Sequence, residues 1–198
     1  MTKSASEFAR NYLEELKGVL DRLPLDAVDR VAEAIALAHA EERQIFVIGN
    51  GGSAATASHM MNDLCKGTLG HKGDATWKRF RVIALTDNVS LMTAWANDTD
   101  FNHIFSEPLK NLARIGDLLV AISASGNSPN ILAAAEVAKR IGVKVIGLTG
   151  FGGGKLAAMA DVSFVVPSNG YGPVEDAHMI LDHILTGYLY EKLKGENR

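Results

Sequence analysis

The stretch Ile45-Phe46-Val47-Ile48-Gly49-Asn50-Gly51-Gly52-Ser53 decides the fold. Its continuous apolar run, mostly β-branched, is what a strand covered on both faces requires, and the glycines after it turn the chain into an Ala-rich helical pattern. The same alternation recurs downstream, with apolar runs at Val82–Leu85, Leu118–Ile122, Val143–Leu148 and Val162–Val166, each bounded by Gly, Asn, Asp or Ser. Helical spacing between the runs predicts right-handed crossovers in a mainly parallel sheet. The expected fold is therefore α/β, a three-layer αβα sandwich on a five-stranded parallel sheet.

Two helices precede the first strand, separated near Pro24. Ser4 and Glu7 have capping-box spacing, and Phe8, Tyr12, Leu16, Val19 and Leu23 form one apolar stripe. Asp26 is the expected N-cap of the second helix, whose apolar positions are Val28, Val31, Ala32, Ile35 and Ala38. Stripes of this kind must be buried, either on the chain's own sheet or, for the first helix, on a partner subunit. A last helix is expected over about Val174–Leu193. With no internal repeat or interior linker, residues 1–198 read as a single domain, 1–40 as N-terminal helices and 41–198 as the α/β core. Gly70–Gly73 and Gly150–Gly154 read as surface loops.

Composition excludes several classes of function. The 198 residues carry 20 Lys and Arg against 23 Asp and Glu, a net charge of -3, which argues against a polyanion-binding surface. The densest basic stretch holds only Lys72, Lys78, Arg79 and Arg81. One cysteine, Cys65, excludes an internal disulfide framework and fits a reducing compartment. No apolar run approaches the ~20 residues that span a bilayer, and Met1 to Arg10 does not read as a signal peptide. A cytoplasmic location is expected.

Ligands of open α/β sheets bind at the carboxyl ends of the strands. After the first strand, Gly49, Gly51 and Gly52 let a ligand approach the main chain, with Ser53 and free amides facing it from a helix N-terminus. After the third, Ser123-Ala124-Ser125-Gly126-Asn127-Ser128-Pro129-Asn130 interleaves three hydroxyls with amides at the positive end of a helix, an anion cradle that needs no cation. This suits a phosphate monoester. Neither G-x-x-x-x-G-K-[ST] nor a complete G-x-G-x-x-G is present, since the last position of the latter is Ala54. The alternative, Ser and Asn as helix caps, accounts for Ser128 or Asn127 but hardly for three serines. Two ionisable clusters lie on neighbouring helices. His59 and Asp63 are four apart and share a face; Glu175, Asp176, His178, Asp182 and His183 crowd the last helix. Acid–base chemistry beside a phosphate-bearing substrate needs such groups.

Asn50-Gly51-Gly52-Ser53, the serine stretch Ser123–Ser128, Ala96-Asn97-Asp98 and a His near the middle of the last helix together resemble the SIS (sugar isomerase) domain family. Within it the chain is most similar to the phosphoheptose isomerases, which convert sedoheptulose 7-phosphate to a heptose phosphate aldose. The resemblance covers nearly the whole chain. It implies a flavodoxin-like strand order and a homotetramer with active sites between subunits. It implies phosphate held by Ser53 or its loop amides with Ser123, Ser125 and Ser128, and sugar contacts from Asn50, Gly51, Gly52, Asn97 and Asp98. It further implies an enediol mechanism in which the proton-moving carboxylate falls on Asp63 and the histidine on His183; Glu175, a carboxylate gained where the family has Gln, is the alternative base. No organic cofactor is implied; some members bind zinc through residues that fall here on His59, Asp63, Glu175 and His183.

The chain departs from the family pattern. Asp63 replaces Glu and Glu175 replaces Gln, Gly67 stands at the usual Arg with Lys66 beside it, and Gly172 stands at an acidic position. Shortening Glu to Asp withdraws the carboxylate, and a misplacement of about 1 Å can cost ~10²-fold in rate. Glu175 and His183 are also eight residues apart, about 12 Å along a straight helix. They can share an ion only if Glu175 lies in a loop that folds over the helix; otherwise the cluster is His59 and Asp63 plus one residue. The leading expectation is an aldose–ketose isomerase of a phosphorylated sugar. The other is a non-catalytic SIS module, either a sugar-phosphate sensor or a tetrameric protein that binds a replication initiator, and an acid–base pair facing a common pocket separates the two.

Overall fold

The computed structural model describes residues 4–70 and 77–196. Lys72 and the glycine at 73 of the expected Gly70–Gly73 loop lie outside the described residues. Strands β1 (Gln44–Gly49), β2 (Arg81–Ala84), β3 (Leu118–Ile122), β4 (Lys144–Thr149) and β5 (Val162–Val165) fall on the five apolar runs, each within about a residue. They form one parallel sheet in the order β2-β1-β3-β4-β5, the flavodoxin-like order. Register is set along β1, where Phe46 lies opposite Ile83 of β2 and Leu119 of β3.

Both faces of the sheet are covered, so alternate residues of each strand enter two separate cores. Ile45, Val47, Val120 and Leu148 pack under α2 (Leu25–Ala40), α3 (Gly52–Asn62) and α8 (Tyr171–Glu196). Phe46, Ile48, Leu119 and Val145 pack under α5 (Ser106–Leu112), α6 (Pro129–Ile141) and α7 (Gly154–Met159). α3 and α8 thus lie on the same face although more than a hundred residues separate them.

The leading helices differ from expectation in two respects. α1 (Ala5–Leu20) has Ser4 as its N-cap, with the Glu7 amide donating to Ser4 Oγ at 3.2 Å. α2 begins at Leu25 after Pro24, so Asp26 sits in the first turn and pairs with Arg30 at 2.6 Å instead of capping. The reason is Pro24, which has no N–H to satisfy and a φ of -75° already suited to a helix start. The stripe on α1 is divided as well. Val19 is buried and the Tyr12 hydroxyl donates to Asp176 on α8, whereas Phe8 of the stripe is 65% exposed, and Leu13, outside it, is 61% exposed. That bond to a carboxylate, with burial, pushes Tyr12 up to about 12. α4 (Val89–Asp98) buries none of its residues in this chain.

Candidate active site

In this strand order the chain leaves β1 and β3 toward opposite faces of the sheet, opening a crevice between the loops at their carboxyl ends. Two amides join these loops. Asn50 Nδ2 donates to Asn130 Oδ1 and Asn130 Nδ2 donates to Asn50 Oδ1, both at 2.8 Å. Asn130 closes the serine stretch and is buried in the first turn of α6, but spacing alone gives it no role. The one signal for it in the chain is a second Asn just after the second loop, matching the Asn of the first.

Ser53 is buried in the first turn of α3 and Ser123 is buried at the end of β3. Ser123 Oγ and Ser128 Oγ are 3.1 Å apart, and the Asn127 amide donates to Ser125 Oγ at 3.2 Å. Gly126 turns the loop at φ +64°, where a Cβ would also overlap the Gly153 carbonyl. Ser128 stands at the N-cap position of α6 but its side chain makes no capping bond. The capping explanation therefore fails for Ser128, whose hydroxyl turns toward Ser123 instead. The loop gathers Ser123 and Ser128 beside a helix N-terminus, an arrangement suited to a phosphate dianion.

A second station lies further along α3, where α8 packs beside it. His59 Nε2 is 3.4 Å from Asp63 Oδ2 and 3.2 Å from His183 Nε2, and ligand atoms of all three residues fall within 4.8 Å of one another. α3 supplies His59, a single π-helical turn (Asp63–Gly67) that continues it supplies Asp63, and the middle of α8 supplies His183. Two imidazole nitrogens facing at this distance must share one proton or one cation. Donors about 2.0–2.2 Å from a tetrahedral zinc stand about 3.4 Å from each other, and the separations from His59 to Asp63 and to His183 match that spacing.

Glu175 is elsewhere. It lies inside α8, two turns before His183, and its carboxylate sits over the N-terminus of α3, where a Cβ on Gly52 would come within 2.5 Å of Oε2. The metal-competent group among the described residues is His59, Asp63 and His183; the helix extends through the region where a loop would have been needed to bring Glu175 down. Asn97 and Asp98 end α4, exposed and bonded to each other at 2.8 Å rather than to either loop. The other residues of the last-helix cluster turn inward. His178 is fully buried, its Nε2 3.2 Å from the Thr149 carbonyl, and burial pushes it down to about 4. Asp182 is fully buried with neither oxygen bonded, and burial, reinforced by the charge of Asp63, pushes it up to about 7.

The SIS domain model matches residues 8–150. The chain belongs to the SIS domain family. It is 40% identical over 171 residues to the phosphoheptose isomerase of Rhodospirillum rubrum, covering 85% of this chain and 88% of that one. The structure of phosphoheptose isomerase from Neisseria gonorrhoeae superposes with a TM-score of 0.85 at 31% identity, over 94% of this chain and 98% of that one. That of a phosphoheptose isomerase from Francisella tularensis gives 0.85 at 29%, over 96% and 100%. Within the SIS frame, two departures coincide with close packing. A Cβ on Gly67 would come within 3.0 Å of Thr186 on α8, and one on Gly172 within 2.7 Å of the Tyr12 hydroxyl.

Proposed function

We propose that the chain, acting as a single SIS domain over residues 1–198, is an aldose–ketose isomerase that converts sedoheptulose 7-phosphate to a heptose 7-phosphate through an enediol. The observation that carries this reading is the spacing of the two stations. Gly52, two residues after the Asn50 that pairs with Asn130 beside the serine loop, and His59 are seven residues apart on α3, about 10 Å. An extended seven-carbon chain with a terminal phosphate is on the order of 10 Å long. With its phosphate in the loop of Ser123, Ser125 and Ser128 and against Ser53, the sugar passes Asn50, Gly51, Gly52 and Glu175 and presents C1 and C2 to Asp63 and His183.

Asp63 removes a proton from C1 and returns it to C2. His183 protonates the C2 oxygen as the enediol forms and takes the C1 hydroxyl proton as the aldehyde appears, so atoms balance without an oxidant. His59, 3.2 Å from His183, orients that imidazole. Where zinc is bound, His59, Asp63 and His183 would hold it and it would polarise the sugar oxygens. Glu175, whose carboxylate lies over Gly52, would in this reading bind a sugar hydroxyl and be the second carboxylate.

The same reading includes a cytoplasmic homotetramer acting in carbohydrate metabolism. Supporting it are the half-buried free thiol of Cys65, the exposed Phe8 and Leu13, and α4, whose Met92, Trp95 and Ala96 are only partly buried in their own chain. Sites shared between subunits would let α4 of a neighbouring copy deliver Asn97 and Asp98. No described helix is long and apolar enough to cross a membrane. A sensor would have no use for three ionisable groups gathered one sugar length from a phosphate loop. Turnover of ketose phosphates of five to seven carbons, with and without zinc, tests the proposal. Turnover of the seven-carbon substrate is expected, and tight binding without turnover of any of them would overturn it in favour of the sensor.

A further inference from the structure

His178 is one of five ionisable residues crowded on the last helix, and the proposed chemistry leaves it unused. Its surroundings assign it a different task. Its Nε2 faces the Thr149 carbonyl at 3.2 Å, and a carbonyl can only accept, so Nε2 carries the proton. The same carbonyl accepts the Val166 amide at 2.8 Å, which occupies its second lone pair. One turn earlier on α8, Val174 presses on Gly150, where a Cβ would overlap it. α8 thus grips the end of β4 at two consecutive backbone positions.

β4 runs directly into the loop Gly150–Gly154, and this loop embraces the serine loop. Gly150 N–H donates to the Ala124 carbonyl at 2.8 Å and Leu156 N–H to the Gly126 carbonyl at 2.9 Å. Lys155 N–H donates to Asn127 Oδ1 at 3.1 Å. The Gly153 carbonyl fills the space where Gly126 would carry a side chain. The three serines are chain neighbours of the residues so held, and their geometry depends on where the glycine loop stands. Burial keeps His178 neutral in the neutral range, so it is a fixed donor there and not an acid–base group.

We propose that His178 is a positioning residue for the phosphate cradle, holding the glycine loop Gly150–Gly154 against the serine loop through the Thr149 carbonyl. The inference rests on the reading of the serine loop as a phosphate site. It adds that helix α8 serves both stations, His183 at the reacting carbons and His178 behind the phosphate.

The test compares His178→Phe, which fills the volume without a donor, with His178→Gln, whose amide nitrogen reaches nearly as far as Nε2. Affinity for inorganic phosphate, KM and kcat for sedoheptulose 7-phosphate, and zinc affinity are measured on each. Loss of this one bond in His178→Phe should weaken phosphate binding and raise KM by roughly tenfold, with kcat and zinc affinity changed by less than about twofold. His178→Gln should recover most of the loss. A folded His178→Phe chain that binds phosphate like the parent, or that loses kcat with KM intact, overturns the proposal. Should His178→Phe not fold, hydrogen exchange on the parent decides. Inorganic phosphate should then slow exchange in residues 150–156 together with 123–128, and protection confined to the serine loop would overturn it. A parent chain that binds no phosphate overturns the cradle reading itself, an outcome distinct from failure of the His178 variants.

Discussion

The serine loop, between β3 and α6, and the His59–Asp63–His183 cluster, between α3 and α8, are built from opposite materials. The loop is made of hydroxyls and main-chain dipoles contributed by consecutive residues, 123–128, with the backbone turned at Gly126. The cluster is made of three ionisable side chains from two helices, and its closest contact, His59 to His183, spans 124 positions. A fixed array of dipoles holds a charged group without exchanging protons with it, whereas moving a proton requires groups that titrate. One end of the site is thus suited to binding and the other to chemistry, and each can be broken separately.

The largest effect is expected at the chemical end. Asp63→Asn should lower kcat by ~10²–10⁴, the usual contribution of a general base, while KM changes little. Steady-state kinetics checks this, and an equal rise in KM would merge the two regions into one. At the binding end, replacing Ser123, Ser125 and Ser128 together by Ala should weaken sugar-phosphate binding by ~2–4 kcal/mol, with smaller losses for each single change. Titration of the sugar phosphate against the free sugar measures it, and equal affinity for the two would remove the cradle from the comparison.

Gly126→Ala tests whether the cradle is held by backbone shape. A side chain at φ +64° facing the Gly153 carbonyl should cost about 1–3 kcal/mol of stability, read as a lowered Tm and a raised KM. A last test concerns the buried carboxyl behind the cluster. Asp182 keeps its proton in the folded chain up to about 7, whereas the unfolded chain releases it near 3.8. Its contribution is therefore fully present below about 3.8 and is lost as pH rises toward 7. Asp182→Asn should abolish that slope, so the Tm of the parent should fall relative to the variant between these limits. The comparison with the variant is needed because His178, pushed down to about 4, gives stability an opposite slope below 6.5.

The five strands and both loops are legible in the chain because each is a local matter: a run of apolar residues buried on both faces, or glycines and serines placed just before a helix. Ser4 capping α1 belongs to the same class. Asp26 does not cap α2 because Pro24 and Asp26 both suit a helix start and only the path of the chain chooses between them. The divided stripe of α1 has the same origin, since Tyr12 is drawn to Asp176 by the docking of α8.

Local sequence suffices for the layered parallel sheet and for the serine–glycine loop at its carboxyl edge, because hydroxyls and main-chain dipoles within six consecutive residues leave little for the rest of the chain to settle. Which ionisable residues work together is a matter of packing between distant segments. His183 joins His59 and Asp63, Glu175 is left over Gly52 two turns away, Asn50 finds Asn130, and His178 and Asp182 turn into the interior. The physical reason is that α3 and α8 are rigid rods packed on one face of the sheet. Their relative shift and rotation fix every cross-helix distance at once, and neither quantity is written in the local sequence of either helix.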